Sequence, residues 1–89
     1  MATDVVRVRL SRREEGYLSE AVFLKAHQLE VLRKRALTDQ GGAILTLSRD
    51  LAEEFREAFT EQLARVGFDK NYETTPEGRL LEELIDRFF

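Results

Sequence analysis

His27 and Glu30 stand three residues apart in a helix-forming stretch, the first place in the sequence where a proton shuttle or a metal ligand would be sought. They lack company. The chain has one histidine and no cysteine, whereas a zinc or transition-metal site draws three or four ligands from such residues. A second candidate lies in DKNYETTPEGRL, where Asp69, Asn71, Glu73 and Thr75 occupy positions one, three, five and seven of a calcium loop. Position six is Thr74 where a glycine is required, and position twelve is Leu80 where a bidentate glutamate is required, so turn and helix-cap chemistry accounts for these residues better. Glu14-Glu15, Glu53-Glu54 and Glu82-Glu83 supply carboxylates in pairs. Neighbours on a helix point about 100° apart, so such pairs do not make a general acid and base acting on one bond. Gly41-Gly42 has neither the Lys-Ser/Thr of a phosphate loop nor the GxGxxG spacing. The expectation is a protein with no catalytic residues, no cofactor and no metal.

Charge is the more informative feature. The net charge is −3, but nine basic side chains face six acidic ones up to Arg49, and five face eleven from Asp50 onward. Basic residues gather at Arg7, Arg9, Arg12 and Arg13 and again at Arg33-Lys34-Arg35, the latter suited to the negative end of a helix dipole. Asp50, Glu53, Glu54, Glu57 and Glu61 form an acidic stripe, read as a solvated helix face.

The elements that carry these groups follow from periodicity. In VVRVRL, Val6, Val8 and Leu10 alternate with Val5, Arg7 and Arg9, a half-buried strand over residues 5–10. Ser11 with Glu14 makes a capping box, and a helix is expected from about Arg12 to Leu37; Gly16 costs its first turn about 1 kcal/mol relative to Ala, which leaves Ser19 as an alternative start. Leu18, Ala21, Val22, Leu29, Leu32 and Ala36 form one apolar stripe, and Tyr17, Leu24 and Val31 a second beside it, while Phe23 falls outside both. Asp39-Gln40-Gly41-Gly42 reads as a turn, Ala43–Leu47 as a second strand, and Arg49–Val66 as a helix capped by Ser48, with Leu51, Phe55, Phe59, Leu63 and Val66 on one face. Gly67 suits a left-handed helix terminus with Phe68 folded back onto the last turn, and Thr75-Pro76 opens a last helix reaching about Phe88. Leu10-Ser11-Arg12 echoes Leu47-Ser48-Arg49, which shared strand-to-helix chemistry explains without a duplication.

The fold class expected is α+β or small α/β in a single domain over 1–89, ordered β-α-β-α-α, with two short strands, parallel if the first helix is their crossover. Two strands make a poor sheet, so completion across a homodimer is expected. With no apolar run approaching a membrane span and no leader-like start, a cytoplasmic location is expected. A chain of this size is stabilised by roughly 4–9 kcal/mol and has little room for an enclosed active site, which favours a non-catalytic module that binds another protein or itself. Tyr17, Leu24 and Val31 are the expected partner or dimer contacts, with Phe23, Phe88 and Phe89 beside them, because the first helix carries more apolar surface than one neighbour covers. On that reading, Leu24→Asp disrupts association and leaves secondary structure intact.

Residues 4–24, DVVRVRLSRREEGYLSEAVFL, also resemble the start of the ribbon-helix-helix repressors, in which a short strand with outward polar side chains precedes an amphipathic helix. The resemblance implies a dimer whose paired strands enter the DNA major groove, with Arg7 and Arg9 reading bases and Val5 beside them; Arg12 and Arg13 are further expected nucleic-acid contacts on that reading. The sequence departs from that family in the length of its first helix, in the strand that follows it and in its acidic balance, with an isoelectric point near 5.2.

Overall fold

The computed structural model describes residues 5–88. Strand β1 (Val5–Leu10) alternates as its sequence requires, with Val8 and Leu10 buried and Val5, Arg7 and Arg9 exposed. Ser11 closes the expected capping box: its hydroxyl accepts from the Glu14 N–H at 3.2 Å, and its own N–H donates to Glu14 Oε1 at 2.7 Å. Helix α1 (Arg12–Ser19) begins there and passes through Gly16.

The long helix expected over 12–37 is instead two short helices and a strand. Helix α1 ends in a tight turn in which the Glu20 and Ala21 N–H groups reach back three residues, to Tyr17 and Leu18. Helix α2 (Ala26–Arg33) starts afresh, with Gln28 Oε1 accepting from the Lys25 N–H at 2.9 Å. Neither glycine nor proline marks the break. A straight helix over 12–37 would run about 39 Å, nearly twice the length of a six-residue strand, and would set Leu24 about 120° around the helix from Leu18. Breaking it lets Leu18, Leu24 and Leu32 enter one core together. Two members of the expected stripe are released to solvent: Val22 is 97% exposed and Ala36 is exposed. Phe23, expected to lie outside the apolar faces, packs against the core instead.

Strand β2 (Ala36–Leu37), where helix was expected, turns through Thr38–Gly42 into β3 (Ala43–Ser48). The Thr38 N–H donates to the Gly42 carbonyl at 2.9 Å, and Gly41 takes φ +85°, which its lack of a Cβ permits. The sheet order is β1-β3-β2, antiparallel throughout. The expectation of neighbouring parallel strands is therefore corrected. The helical segment does lead from β1 to a strand of the same direction, β2, but the hairpin then inserts β3 between them. Both principal strands pair within one chain.

Ser48 caps α3 (Arg49–Val66), accepting from the Leu51 N–H at 3.1 Å, and Thr75 caps α4 (Pro76–Arg87), accepting from the Gly78 N–H at 3.0 Å. Gly67 is right-handed (φ −76°), not left-handed as expected, and a Cβ there would collide with Leu63; a Cβ on Gly78 would in turn collide with the Gly67 backbone, so α4 starts in close contact with the end of α3. Phe68 does not fold away either. It is 46% exposed and bridges to Thr74.

One cluster forms the core: Val8, Leu10, Ala43, Leu45 and Leu47 from the sheet meet Phe55 and Phe59 of α3, Leu81 and Leu84 of α4, and Phe88. Leu24, 7% exposed, belongs to it. An aspartate at position 24 would bury an unpaired carboxylate at a cost of several kcal/mol, comparable to the whole stability. Leu24→Asp is thus expected to abolish the cooperative thermal transition followed by circular dichroism, while Val22→Asp, two residues earlier, shifts stability by less than about 0.5 kcal/mol. Similar melting of the two variants would mean that the helix does not break where described.

Candidate binding surface

The helices bury the inner face of the sheet and leave its outer face bare. That face carries Val5, Arg7 and Arg9 from β1 and Ile44, Thr46 and Ser48 from β3; all are exposed except Ile44, which is half-buried. Register sets Arg7 opposite Thr46 and Arg9 opposite Ile44, so neither arginine meets a carboxylate across the ladder. A shallow groove of about 430 Å3 lies on this side, between Arg7, Ile44, Thr46 and Ala36 on the strands and Val31 and Lys34 beyond them.

The four arginines singled out in the sequence divide into two groups. Arg7 and Arg9 share the outer face, and Arg12 lines a depression with Arg9 while its side chain lies over Gly41. Arg13 turns toward α4, 3.7 Å from Glu83. In the second basic cluster, Arg33 pairs with Glu30 at 2.8 Å, and Arg35 lies 2.7 Å from Glu15 and donates to the Leu32 carbonyl at 2.8 Å. Lys34 alone of the three lines the groove.

The acidic residues Asp50, Glu53, Glu54, Glu57 and Glu61 are exposed along α3. His27 meets this stripe rather than Glu30: its Nε2 lies 2.7 Å from Glu54 Oε1, both side chains being about half exposed. Among the described residues no group of three or more His, Asp or Glu side chains is placed to hold a metal ion. Asp69 Oδ1 accepts from the Asn71 and Glu73 N–H groups at 2.8 and 3.1 Å, which organises the loop before α4.

The apolar residues expected to meet a partner are largely used inside the fold. Leu24 and Phe88 are buried; Tyr17, Phe23 and Val31 pack against the core, half-buried; Phe89 lies outside the described residues. Aromatic rings link them, Tyr17 to Phe23 at 6.2 Å and Phe23 to Phe59 at 6.3 Å. Among the described residues the exposed large apolar side chains are others: Val5, Val22, Leu37, Phe68 and Tyr72. Helical periodicity hid Val22 and Leu37 because it extended one helix through both. Tyr72, at φ +63°, holds a left-handed conformation that no residue type signalled.

Tyr17 also carries the clearest electrostatic perturbation. Its hydroxyl donates to Glu77 Oε2 at 2.7 Å, joining α1 to the start of α4. Burial, and then the hydrogen bond to and charge of Glu77, raise the phenol well above its ordinary value.

No protein-family model, curated protein or solved structure matches the chain. Among the described residues no helix is long and apolar enough to cross a membrane.

Because the folded state holds the Tyr17 proton more tightly than the unfolded chain, this contribution is complete below the ordinary phenol value near 10 and is lost as pH rises beyond it. Tyr17→Phe is expected to lower stability by about 1 kcal/mol at neutral pH, and the gap from wild type should narrow above pH of about 10. Urea titrations at neutral and alkaline pH measure it; a constant gap would remove the Glu77 bond from the account.

Proposed function

We propose that the chain is a non-catalytic, cytoplasmic protein-interaction module that meets its partner through the outer face of the sheet. The observation that carries this reading is the placement of Arg7 and Arg9. They are exposed, spaced by two on a strand, and bonded to no carboxylate among the described residues. Their neighbours Ile44 and Thr46 add a half-buried apolar and a polar group, and Lys34 stands across the groove. Such a mixture of guanidinium groups and modest apolar area, flanked by a groove, suits a polar protein surface of opposite charge. The acidic stripe on α3 gives the module a second charged side, which would steer approach by repelling acidic partners from the wrong face.

A dimeric DNA-binding regulator is the second reading, favoured by the same two arginines at strand spacing on an outward face. It requires two strands from two chains to pair as one ribbon, whereas β1 here pairs along one edge with β3 of its own chain.

The test is affinity capture of the tagged full chain from the cells that produce it, with nuclease treatment, alongside an Arg7→Glu/Arg9→Glu variant. A protein retained in near-equal amount after nuclease, and lost with the variant, is the expected result. Retention of nucleic acid alone, with affinity falling steeply in salt, would replace the reading with the regulator. Capture of nothing would overturn both.

A further inference from the structure

Strand β1 is an edge of the sheet. Its inner edge is paired with β3 along all six residues, and no backbone or side-chain hydrogen bond from another described element reaches its outer edge. Alternate N–H and C=O groups along that edge are therefore open to a further strand. We propose that it accepts an extended segment of an acidic partner protein as a fourth strand, with carboxylates at every second position set beside Arg7 and Arg9. This inference deepens the interaction-module reading and rests on it.

Charge decides the occupant. A second copy of the chain is the simplest alternative, adding β1 to β1 about a two-fold axis. For the two sheets to keep their faces aligned, residues of the same alternation must lie opposite each other. The two antiparallel registers that engage most of the strand then set Arg7 against the partner copy's same arginine, or Arg7 against Arg9. Like charges directly opposite are destabilising, so the pattern that leaves the edge open also rejects the chain's own copy. A segment carrying carboxylates at those positions reverses the sign of every such pair. It would bring two cross-strand ion pairs on the outer face, where β3 offers Thr46 and Ile44 instead.

The inner face favours the same geometry. Val8 and Leu10 are buried, but Val6 is only half-buried. The residues of an added strand that alternate with its carboxylates would lie beside Val6, Val8 and Leu10 and extend the apolar layer over the helices beneath β1. The chemistry of the partner is thus specified at two levels: an extended backbone, and alternation of acidic with apolar or β-branched side chains.

A synthetic peptide of about eight residues, with Glu at every second position alternating with Thr and Val, is the probe. Binding to the full chain is followed by fluorescence anisotropy and by amide hydrogen exchange of β1. The expected results are slowed exchange at alternate β1 amides and a loss of about tenfold or more in affinity when the peptide backbone is N-methylated on its pairing edge. Arg7→Glu/Arg9→Glu, checked for native circular dichroism, should lose the acidic peptide and gain one with Lys in place of Glu. Equal binding of the N-methylated peptide, or of the same residues with the glutamates grouped together, would overturn strand addition and leave charge attraction alone. Displacement of the peptide by duplex DNA without any protection of β1 would overturn it in favour of nucleic acid. If the captured protein of the preceding experiment is retained while no peptide binds, the edge proposal fails and the interaction module stands.

Discussion

Phe88 closes the structure. Its ring stacks on Phe55 at 5.0 Å and meets the edge of Phe59 at 5.1 Å, and all three are fully buried beneath the sheet. Each ring removes a large apolar area from water, and together they hold the end of α4 against the middle of α3. The crossing of these two helices depends on that contact at one end and on the close passage of Gly78 over Gly67 at the other. With the α3–α4 pair fixed, the inner face of β1 and β3 has a surface to pack on, and Leu18, Leu24 and Leu32 fill what remains around it.

A buried carboxylate reinforces the same arrangement. Glu14 has no solvent exposure, yet it accepts the Ser11 N–H and lies 3.2 Å from Arg87 Nε at the far end of the chain. Burial of a charge is costly unless its lone pairs are satisfied, and here a helix cap and a guanidinium satisfy them together. Arg87 is itself nearly half exposed, so the pair resembles a surface ion pair on one side and a capping box on the other. Its effect is geometric: the turn from β1 into α1 is tied to the last turn of α4.

The surface follows from this core. All the large aromatic contacts draw the helices to one side of the sheet, and the opposite side is left with Arg7 and Arg9 in water. An uncovered sheet face can persist because an antiparallel sheet needs only one buried face. The open edge of β1 is kept from indiscriminate pairing by the charges beside it. If the edge takes a further strand as proposed, the same charges would select the sign of that strand. The acidic α3 stripe and the basic sheet face form two sides of opposite charge.

The strand over 5–10, the caps at Ser11, Ser48 and Thr75, and α3 over Arg49–Val66 were legible in the sequence, because alternation, side-chain caps and a clean apolar face are local signals. So was the outward placement of Arg7 and Arg9, which the period of a strand dictates. Tertiary packing decided the rest. Residues 12–37 satisfy helical periodicity throughout, and only the need to bury Leu18, Leu24 and Leu32 against one short sheet breaks them at 20–25. Strand β2 is two exposed residues held by their pairing with β3, so nothing in its own composition announces it. Burial likewise placed Leu24 and Phe88 in the core, which no local pattern announced, since an apolar side chain reads the same in sequence whether it faces the core or another molecule. The face an arginine takes on a strand is set by its neighbours in the chain; what lies across from it, and whether an edge stays open beside it, is set by where the rest of the chain comes to rest.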